Sequence, residues 1–308
     1  VGLLSVVLHL LFRALLGGRF GRAFMAVQLA EPAAESVGLS VIRVKTLAFV
    51  ISAVTCALAG ALVAQQNQYF NSDFITFNLS IFLLVVVIFG GSGSLYGPLL
   101  GSLVLTLLDA WLARWPALQH FTYGALLLFA LYLMTNGLAG ALGRFFPTRK
   151  AEMTGSGASH ALVEAVAKTS GAPLLVVSGL YKAYGGIVPV KDVSFTISAG
   201  KVHALIGPNG AGKTTLLNLL SGHVPEDRGT VVFQGQDITT LPANRVARAG
   251  IGRTFQNLKL FGHLSALDNV LIGAHLHVEE GFLSALINTP GNRRAEARAR
   301  DEAFALLS

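Results

Sequence analysis

The sequence predicts a chain of two parts, an α-helical membrane domain followed by an α/β P-loop NTPase domain. The 308 residues are 53% hydrophobic and 13% charged, with a mean hydropathy of +0.60. This composition excludes a disordered protein and argues against an ordinary soluble one. Residues 1–143 carry 6 Lys/Arg and 4 Asp/Glu, whereas residues 144–308 carry 17 and 12. A glycine-rich phosphate-binding motif occurs only in the charged part.

The net charge of +7 does not indicate a nucleic-acid partner, because the basic residues are spread over both parts. Cytoplasmic loops beside anionic lipid explain the excess better. The single cysteine, Cys56, lies in an apolar run, so no intrachain disulfide and no cysteine-based metal site are expected. Because the chain begins at Val1 and stops at Ser308 within a helical pattern, we expect a piece of a longer product.

Three windows without charged residues, 46–72, 74–108 and 115–143, each exceed the roughly 20 residues that cross a bilayer. The middle window is divided by GGSGSLYGP at 90–98, which gives short runs at 77–89 and 99–112. Residues 3–16 are expected to end a further span. The run from Phe77 is short, so a re-entrant or tilted element is the alternative there.

Basic residues set the orientation. Arg19, Arg22, Arg43 and Lys45 precede the first complete span, and Arg144, Arg149 and Lys150 follow the last. Both ends should therefore be cytoplasmic, which requires an even number of crossings and agrees with four spans. The domain boundaries predicted are 1–143 for the membrane part, 144–173 for a flexible Gly/Ser-rich linker and 174–308 for the nucleotide-binding part.

The loop before the Thr46 span predicts a short helix between membrane spans. Pro32 suits a first helical position, and Gly38 suits a left-handed helix end. An ordinary cytoplasmic hairpin is an equally good interpretation of these residues alone. The segment resembles the EAA loop of ABC importer permeases, with Glu31, Ala33, Ala34 and Gly38 in the expected order. The resemblance implies a coupling helix that docks onto an ATPase.

Strand-like runs are predicted at 174–177, 193–197 and 202–206, and the last leads into Gly207-x-x-x-x-Gly212-Lys213-Thr214 with a helix after it. Glycines allow a tight turn whose N–H groups approach phosphate oxygens. Lys213 would contact the β and γ phosphates, and the Thr214 hydroxyl would bind Mg²⁺. Thr215 would be a second phosphate contact. The predicted nucleotide-binding residues of this loop are Gly207, Pro208, Asn209, Gly210, Ala211, Gly212, Lys213, Thr214 and Thr215.

The stretch from LYKAYGGIVPVKD to GTVVFQGQDI closely resembles the ATP-binding subunit of ABC transporters. The resemblance implies that Tyr184 stacks on adenine, with Tyr181 as the competing candidate. It also implies that Gln256, 43 residues after Lys213 in the run RTFQN, is the catalytic Q-loop glutamine that helps to hold Mg²⁺. The signature motif, the Walker B aspartate with its glutamate and the switch histidine would follow Ser308.

The tail resembles an insertion found in the ATPases of branched-chain amino acid importers. Its arginines, Arg293, Arg294, Arg298 and Arg300, are interpreted as a solvated helix face interleaved with Glu296 and Asp301, with an anion site as the less favoured alternative. The membrane part, including FGRAFMAVQLAEPAAESVGL and FGGSGSLYGPLLG, resembles the permease subunit of the same importers.

Together the two resemblances imply a fused permease and ATPase for uptake of branched-chain amino acids in the bacterial inner membrane, using ATP and Mg²⁺. The implied partners are a second permease, a second ATPase and an extracytoplasmic substrate-binding protein. Three alternatives stay open. The first is an importer of urea, amides or other amino acids, and the second is a nucleotide-regulated channel that does not hydrolyse ATP. The third is a fused exporter, but exporters have long charged helices between their spans and this sequence shows none.

Overall fold

The computed structural model describes residues 2–67, 77–91, 93–133, 137–138, 173–255, 260–262, 264–277 and 281–307. They form two compact units. The first contains residues 1–6 and 55–153, and the second contains residues 7–54 and 154–308. The second unit is discontinuous, since it joins the loop between membrane helices to the P-loop part of the chain. The predicted linker at 144–173 lies almost wholly outside the described residues, and the three predicted domain boundaries stay predictions.

Helices dominate the residues before the linker. They are α1 (Gly2–Leu16), α2 (Arg19–Leu29), α3 (Glu31–Ser36), α4 (Val41–Asn67), α5 (Phe77–Gly90), α6 (Gly97–Leu112) and α7 (Pro116–Leu133). Among the described residues, α4 alone is long and apolar enough to cross a membrane as one straight helix. The pair α1 and α2 passes the same test as one span bent by 71°. At a rise of 1.5 Å per residue, α5 and α6 reach roughly 21 and 24 Å, less than a bilayer core.

The predicted break between the two short runs is confirmed, and glycines bring α5 and α6 together. A Cβ on Gly101 would lie 2.3 Å from the carbonyl oxygen of Val86, and one on Gly90 would lie 2.1 Å from that of Gly97. The hydroxyl of Tyr123 on α7 donates to Asp109 on α6, and its ring meets Phe82 on α5 edge to face at 5.6 Å. The three helices therefore pack as one cluster.

A four-stranded antiparallel sheet follows the linker, in the order β2-β1-β3-β4. Its strands are β1 (Pro173–Tyr184), β2 (Ile187–Ser198), β3 (Arg228–Phe233) and β4 (Gln236–Asp237). The helices of this part are α8 (Lys213–Leu220), α9 (Ala243–Arg248), α10 (Ala266–Gly273), α11 (Phe282–Leu286) and α12 (Pro290–Leu307), with a 3₁₀ helix at Ala274–His277. The core lies between the sheet and α8, where Val177, Leu180 and Val231 pack with Leu216 and Leu219.

The strand expected at 202–206 does not form. This run has no regular secondary structure, and its residues Val202 and Ile206 are 101% and 88% exposed. The sequence is apolar enough for a buried strand, but a strand needs a neighbour to take its backbone hydrogen bonds. None of the four described strands pairs with it. The strands predicted at 174–177 and 193–197 are confirmed as parts of β1 and β2.

Candidate functional site

The glycine-rich loop is held against the sheet by its last glycine. Gly212 has a φ of +80°, and a Cβ there would lie 2.0 Å from the carbonyl oxygen of Pro189 on β2. Gly210, with a φ of +86°, has open space around it. The left-handed backbone therefore needs glycine at both positions, and close approach to β2 needs it at Gly212. The loop passes directly into α8 at Lys213.

Lys213 crosses the loop that precedes it. Its ammonium donates to the carbonyl oxygens of Gly207 and Pro208, each at 2.7 Å. An ammonium has three donors, so one stays available for a phosphate oxygen. The amides of Gly210, Gly212 and Lys213 have no acceptor among the described residues. Together with the positive end of α8, these groups form a site suited to an anion.

The hydroxyl groups at the start of α8 fit a magnesium nucleotide. Thr214 is exposed, and its side chain has no hydrogen-bond partner in the described parts of the chain. Hydroxyl oxygen is a suitable Mg²⁺ ligand beside substrate phosphates. Thr215 is half-buried one position further along the helix. Asn209 and Ala211 lie in the exposed turn of the loop, where the Ala211 amide donates to Pro208 at 3.3 Å.

The two tyrosines proposed to stack on adenine have different surroundings. Tyr184 ends β1 and is 49% exposed, in the hairpin whose other strand contacts Gly212. Tyr181 is covered by the guanidinium of Arg228, 4.5 Å from its ring centre. Lys182 lies 5.6 Å from the ring centre of Tyr184 and binds Asp227 at 2.7 Å. The more open ring of Tyr184 favours it as the stacking residue.

The Asp227 carboxylate ties the hairpin to the strand that follows α8. A hydrogen bond from the Lys182 ammonium, joined by one from the Ala183 amide, lowers the pKa of Asp227 below its ordinary value. The aspartate therefore stays ionised near neutral pH and holds the end of β1 in place.

Gln256 lies outside the described residues, so its assignment as the Q-loop glutamine stays a prediction. The residues before it, Arg253 and Phe255, line a cavity of about 770 Å³ that extends to Thr214 on α8. Most of its lining is aliphatic or aromatic, including Leu217 and Leu220. A triphosphate requires donors and cations, so the exposed loop rather than this cavity is the candidate nucleotide site.

The predicted short helix before the Thr46 span is confirmed as α3, with Pro32 in its first turn. Gly38 follows it with a φ of +88°, as expected for a left-handed helix end. Ala33 and Ala34 are buried, and they pack in one cluster with residues of the P-loop part, Phe261 and Ile272. Small side chains at these positions let α3 approach its neighbours closely.

The other two predicted coupling residues make different contacts. Gly38 meets the side chain of Leu276, and its carbonyl oxygen accepts from the Arg248 guanidinium at 3.4 Å. Glu31 forms an exposed ion pair with Lys45 on α4 at 2.6 Å. Glu31 therefore fastens α3 to α4, whereas Gly38 contacts the P-loop part directly.

His223 links the end of α8 to α3. Its Nδ1 lies 3.1 Å from the hydroxyl of Ser221, which also accepts from Arg253 at 2.8 Å. Its Nε2 lies 3.2 Å from the hydroxyl of Ser36 on α3. The ring also meets Phe255 edge to face at 6.0 Å. A single imidazole thus contacts three parts of the chain: the end of the helix that follows the phosphate loop, the residues just before Gln256, and α3.

A second contact joins α2 to α12. Both carboxylate oxygens of Glu296 accept from the Arg22 guanidinium, at 2.8 and 3.0 Å, and one also accepts from the Arg19 amide at 2.7 Å. Both side chains of the ion pair are largely buried, at 8% and 13% exposure. Phe20 meets Phe282 on α11 edge to face at 5.5 Å. Glu296 therefore binds Arg22 on α2, whereas Arg293, Arg294, Arg298 and Arg300 on α12 are exposed, as the solvated-face interpretation predicts.

Comparisons with known proteins relate the two parts of the chain to known families. Residues 3–131 match the family model described as "Branched-chain amino acid transport system / permease component", and residues 190–308 match the family model described as "ABC transporter". Residues 3–131, the permease segment, are thus similar to a branched-chain amino acid permease component, and residues 190–308, the ATP-binding segment, are similar to an ABC transporter. The helical first domain and the P-loop NTPase class predicted from the sequence are thereby confirmed, and nucleotide binding follows for the second.

The curated relatives match the ATP-binding segment. The high-affinity branched-chain amino acid transport ATP-binding protein BraF of Pseudomonas aeruginosa is 41% identical over 131 residues, 42% of this chain and 51% of that protein. LivG of Escherichia coli, of the same description, is 40% identical over 135 residues, 44% and 53%. The lipopolysaccharide export system ATP-binding protein LptB of Acidithiobacillus ferridurans is 46% identical over 98 residues, 32% and 41%. This chain spans about half the length of the first two relatives.

A solved nucleotide-free ATP-binding cassette from an ABC transporter is also similar, at 31% identity over 42% of this chain and 50% of that one, with a TM-score of 0.33.

The ATP-binding segment also carries a contact that sequence reasoning missed. His223 follows the P-loop helix in the run SGHVPEDRG, and no pattern in the sequence distinguishes it from the other histidines. The Arg22 and Glu296 pair was also missed, because each residue belongs to a charged run of ordinary composition. The two members lie 274 positions apart, so no local spacing relates them.

Proposed function

We propose that this chain is the fused permease and ATP-binding component of an ABC importer for branched-chain, hydrophobic amino acids. The observation that carries the proposal is the packing of α3 of the permease segment into the ATP-binding segment, with Ala33 and Ala34 buried against Phe261 and Ile272. A change of shape near the phosphate loop can then reach the membrane helices through packed atoms.

The nucleotide in this proposal is ATP with Mg²⁺. Lys213 and the loop amides would bind the phosphates, Tyr184 would stack on the adenine, and Thr214 with Gln256 would hold the metal. The metal would neutralise the charge that develops between the β and γ phosphates. The proposed partners are a second permease, a second ATP-binding subunit and an extracytoplasmic substrate-binding protein.

The proposed location is the bacterial inner membrane, with several crossings and the ATP-binding segment in the cytoplasm. The family match of the permease segment supports a membrane location. The basic residues around α2 and at the start of α4, among them Arg19, Arg22 and Arg43, support the cytoplasmic side for this loop.

The substrate class follows from the names of both the permease family and the relatives BraF and LivG. LptB, which is named for an export system, has a comparable identity over a shorter stretch, so the ATP-binding segment alone does not fix the direction of transport. The permease match favours import. Urea or amide import and a nucleotide-regulated channel are the remaining alternatives.

The proposal is tested by measuring uptake of labelled leucine, isoleucine, valine and urea into cells that express this chain with its partners. We expect uptake of the three amino acids, and its loss in Lys213→Met. Lys201→Met, which changes an exposed lysine before the loop, is the matched control and should keep uptake. Uptake of urea alone, efflux of leucine, or nucleotide-dependent leucine flux that only follows its own gradient would each overturn the proposal.

A further inference from the structure

A cleft of about 590 Å³ lies where α1 ends, α2 begins and α12 passes. All of its lining residues belong to the second compact unit. The bend between α1 and α2 forms one wall at Gly17, and Asn292, Arg293 and Arg300 of α12 form the opposite wall. Neither the nucleotide site nor the contact of α3 with the ATP-binding segment includes these residues.

The cleft is strongly basic. Arg13 of α1 and Arg293 and Arg300 of α12 line it, and none of the three forms an ion pair with an acidic residue that the structure describes. Glu296 is the one acidic residue in the described lining, and its carboxylate is already bound by Arg22. Three uncompensated guanidinium groups around one cavity favour an anion, and phosphate oxygens match their donor geometry.

Asn292 provides an independent indication of a ligand. Asn292 is 4% exposed, and its Oδ1 has no hydrogen-bond partner among the residues that the structure describes. A buried acceptor without a partner costs free energy that a bound donor recovers. A headgroup that carries a hydroxyl beside its phosphate would supply both the anion for the arginines and the donor for this oxygen.

The surroundings of the cleft favour a phospholipid over a free phosphate ion. The helix α1 that forms one wall is apolar, and Leu10 within the cleft lining is 57% exposed. Arg13 lies in its last turn, at the point where the helix bends by 71° into α2. Acyl chains could therefore lie along α1 in the membrane while the headgroup meets the basic wall at the interface.

We propose that this cleft binds the headgroup of an anionic phospholipid with a hydroxyl-bearing phosphodiester, such as phosphatidylglycerol. Arg13, Arg293 and Arg300 bind the phosphate, and Asn292 accepts from the headgroup hydroxyl. The lipid then connects the last turn of α1 to α12 of the ATP-binding segment. The proposal does not depend on which substrate is transported.

The test measures binding of short-chain phosphatidylglycerol to the detergent-solubilised full chain by calorimetric titration. Short-chain phosphatidylcholine and sodium phosphate are the comparison ligands. The cleft variant is Arg293→Gln with Arg300→Gln, two residues seven apart and so on one face of α12. The control is Arg294→Gln with Arg298→Gln, which removes the same charge from the same helix outside the cleft lining.

We expect phosphatidylglycerol affinity to fall at least tenfold in the cleft variant and less than twofold in the control. Equal losses in both variants, or no loss in either, would overturn the proposal. So would equal binding of phosphatidylcholine, and displacement of the lipid by phosphate at equal concentration would assign the site to the free ion. Should the cleft variant fail to fold, Arg13→Gln on α1 removes a lining charge from a different helix and must also weaken binding.

Discussion

The imidazole of His223 lies 3.2 Å from the hydroxyl of Ser36, and this contact connects the helix that follows the phosphate loop with α3. The same ring nitrogen lies 3.3 Å from the carbonyl oxygen of Pro32. The other nitrogen faces Ser221, directly after α8. Because α8 begins at Lys213, two turns of helix and one side chain separate the phosphate site from the permease segment.

His223→Ala should uncouple nucleotide hydrolysis from uptake. The variant removes the polar contacts to α3 but leaves the phosphate loop unchanged, so nucleotide affinity should stay within twofold of that of the parent. Since net hydrogen bonds contribute about 1 kcal/mol each, we expect leucine uptake per ATP hydrolysed to fall about threefold to tenfold. The measurement compares uptake and phosphate release in the assembled transporter.

Ser36→Ala should produce a smaller change in the same direction, because Pro32 still faces the ring. Ser284→Ala is the matched control, since its hydroxyl donates to Gly281 in the first turn of α11. An unchanged ratio of uptake to hydrolysis in His223→Ala would show that the contact carries no coupling.

Gly212→Ala should lower the unfolding temperature more than Gly210→Ala. Both glycines have a left-handed backbone, so either alanine costs about 1 kcal/mol in strain. At Gly212 the new Cβ must also displace the carbonyl oxygen of Pro189, whereas at Gly210 it enters open space. Thermal unfolding of the solubilised chain should place Gly212→Ala several degrees below Gly210→Ala. Equal midpoints would mean that the contact between β2 and the loop contributes nothing.

The Arg22 and Glu296 ion pair should show strong coupling in a double-mutant cycle. Removing one partner leaves a buried charge without compensation, at a cost of about 3 to 5 kcal/mol. Arg22→Gln and Glu296→Gln should each destabilise the chain, and the double variant should be more stable than the sum of the two losses predicts. The free energy of unfolding of the four proteins gives the coupling energy.

The exposed pair of Glu31 and Lys45 is the comparison for that cycle. Its side chains are 50% and 57% exposed, so its coupling energy should stay within about 1 kcal/mol. Additive losses at Arg22 and Glu296 would contradict a cooperative ion pair.

Stability should fall as the pH decreases from about 6.5 to about 4 because of His275. Burial lowers the pKa of His275 to about 4, and the nearby guanidinium groups of Arg19, Arg248 and Arg22 add to this effect against the attraction of Glu296. Between these pH values the unfolded chain binds a proton that the folded chain does not, so folding weakens by up to about 3 kcal/mol.

His275→Gln should flatten this dependence, as measured by unfolding midpoints between pH 7 and pH 4.5. The carboxylates with lowered pKa values, Asp227 and Asp237, lose their stabilising contribution only at lower pH, below their ordinary value of 3.8. A slope in His275→Gln equal to that of the parent would assign the pH dependence to other groups.

Local patterns predicted those parts of the chain whose structure is decided locally. The glycines and Lys213 of the phosphate loop follow from the turn and the helix start that the motif requires, and Pro32 and Gly38 mark the two ends of α3. The window without charged residues and its glycine-rich break at 90–98 separated α5 from α6 for the same reason.

Contacts between distant parts of the chain could not be predicted in this way. The run at 202–206 has the composition of a strand, but pairing depends on a neighbour and not on the run itself. The sequence places Glu296 beside arginines on α12, but its largely buried carboxylate binds Arg22 on α2. The role of His223 depends on its contact with Ser36 of α3, which lies 187 residues earlier in the sequence.

The discontinuous second unit has a consequence for folding during synthesis. The partners of α2 and α3 lie more than 200 residues further along the chain, so Ala26 and Ala34, both fully buried in the finished fold, must wait for most of the chain to be made. Pairings of such high contact order form slowly, and they leave apolar surface exposed in the meantime. The interval between synthesis of α3 and of α12 is therefore the period in which this protein is most open to aggregation or to capture by chaperones.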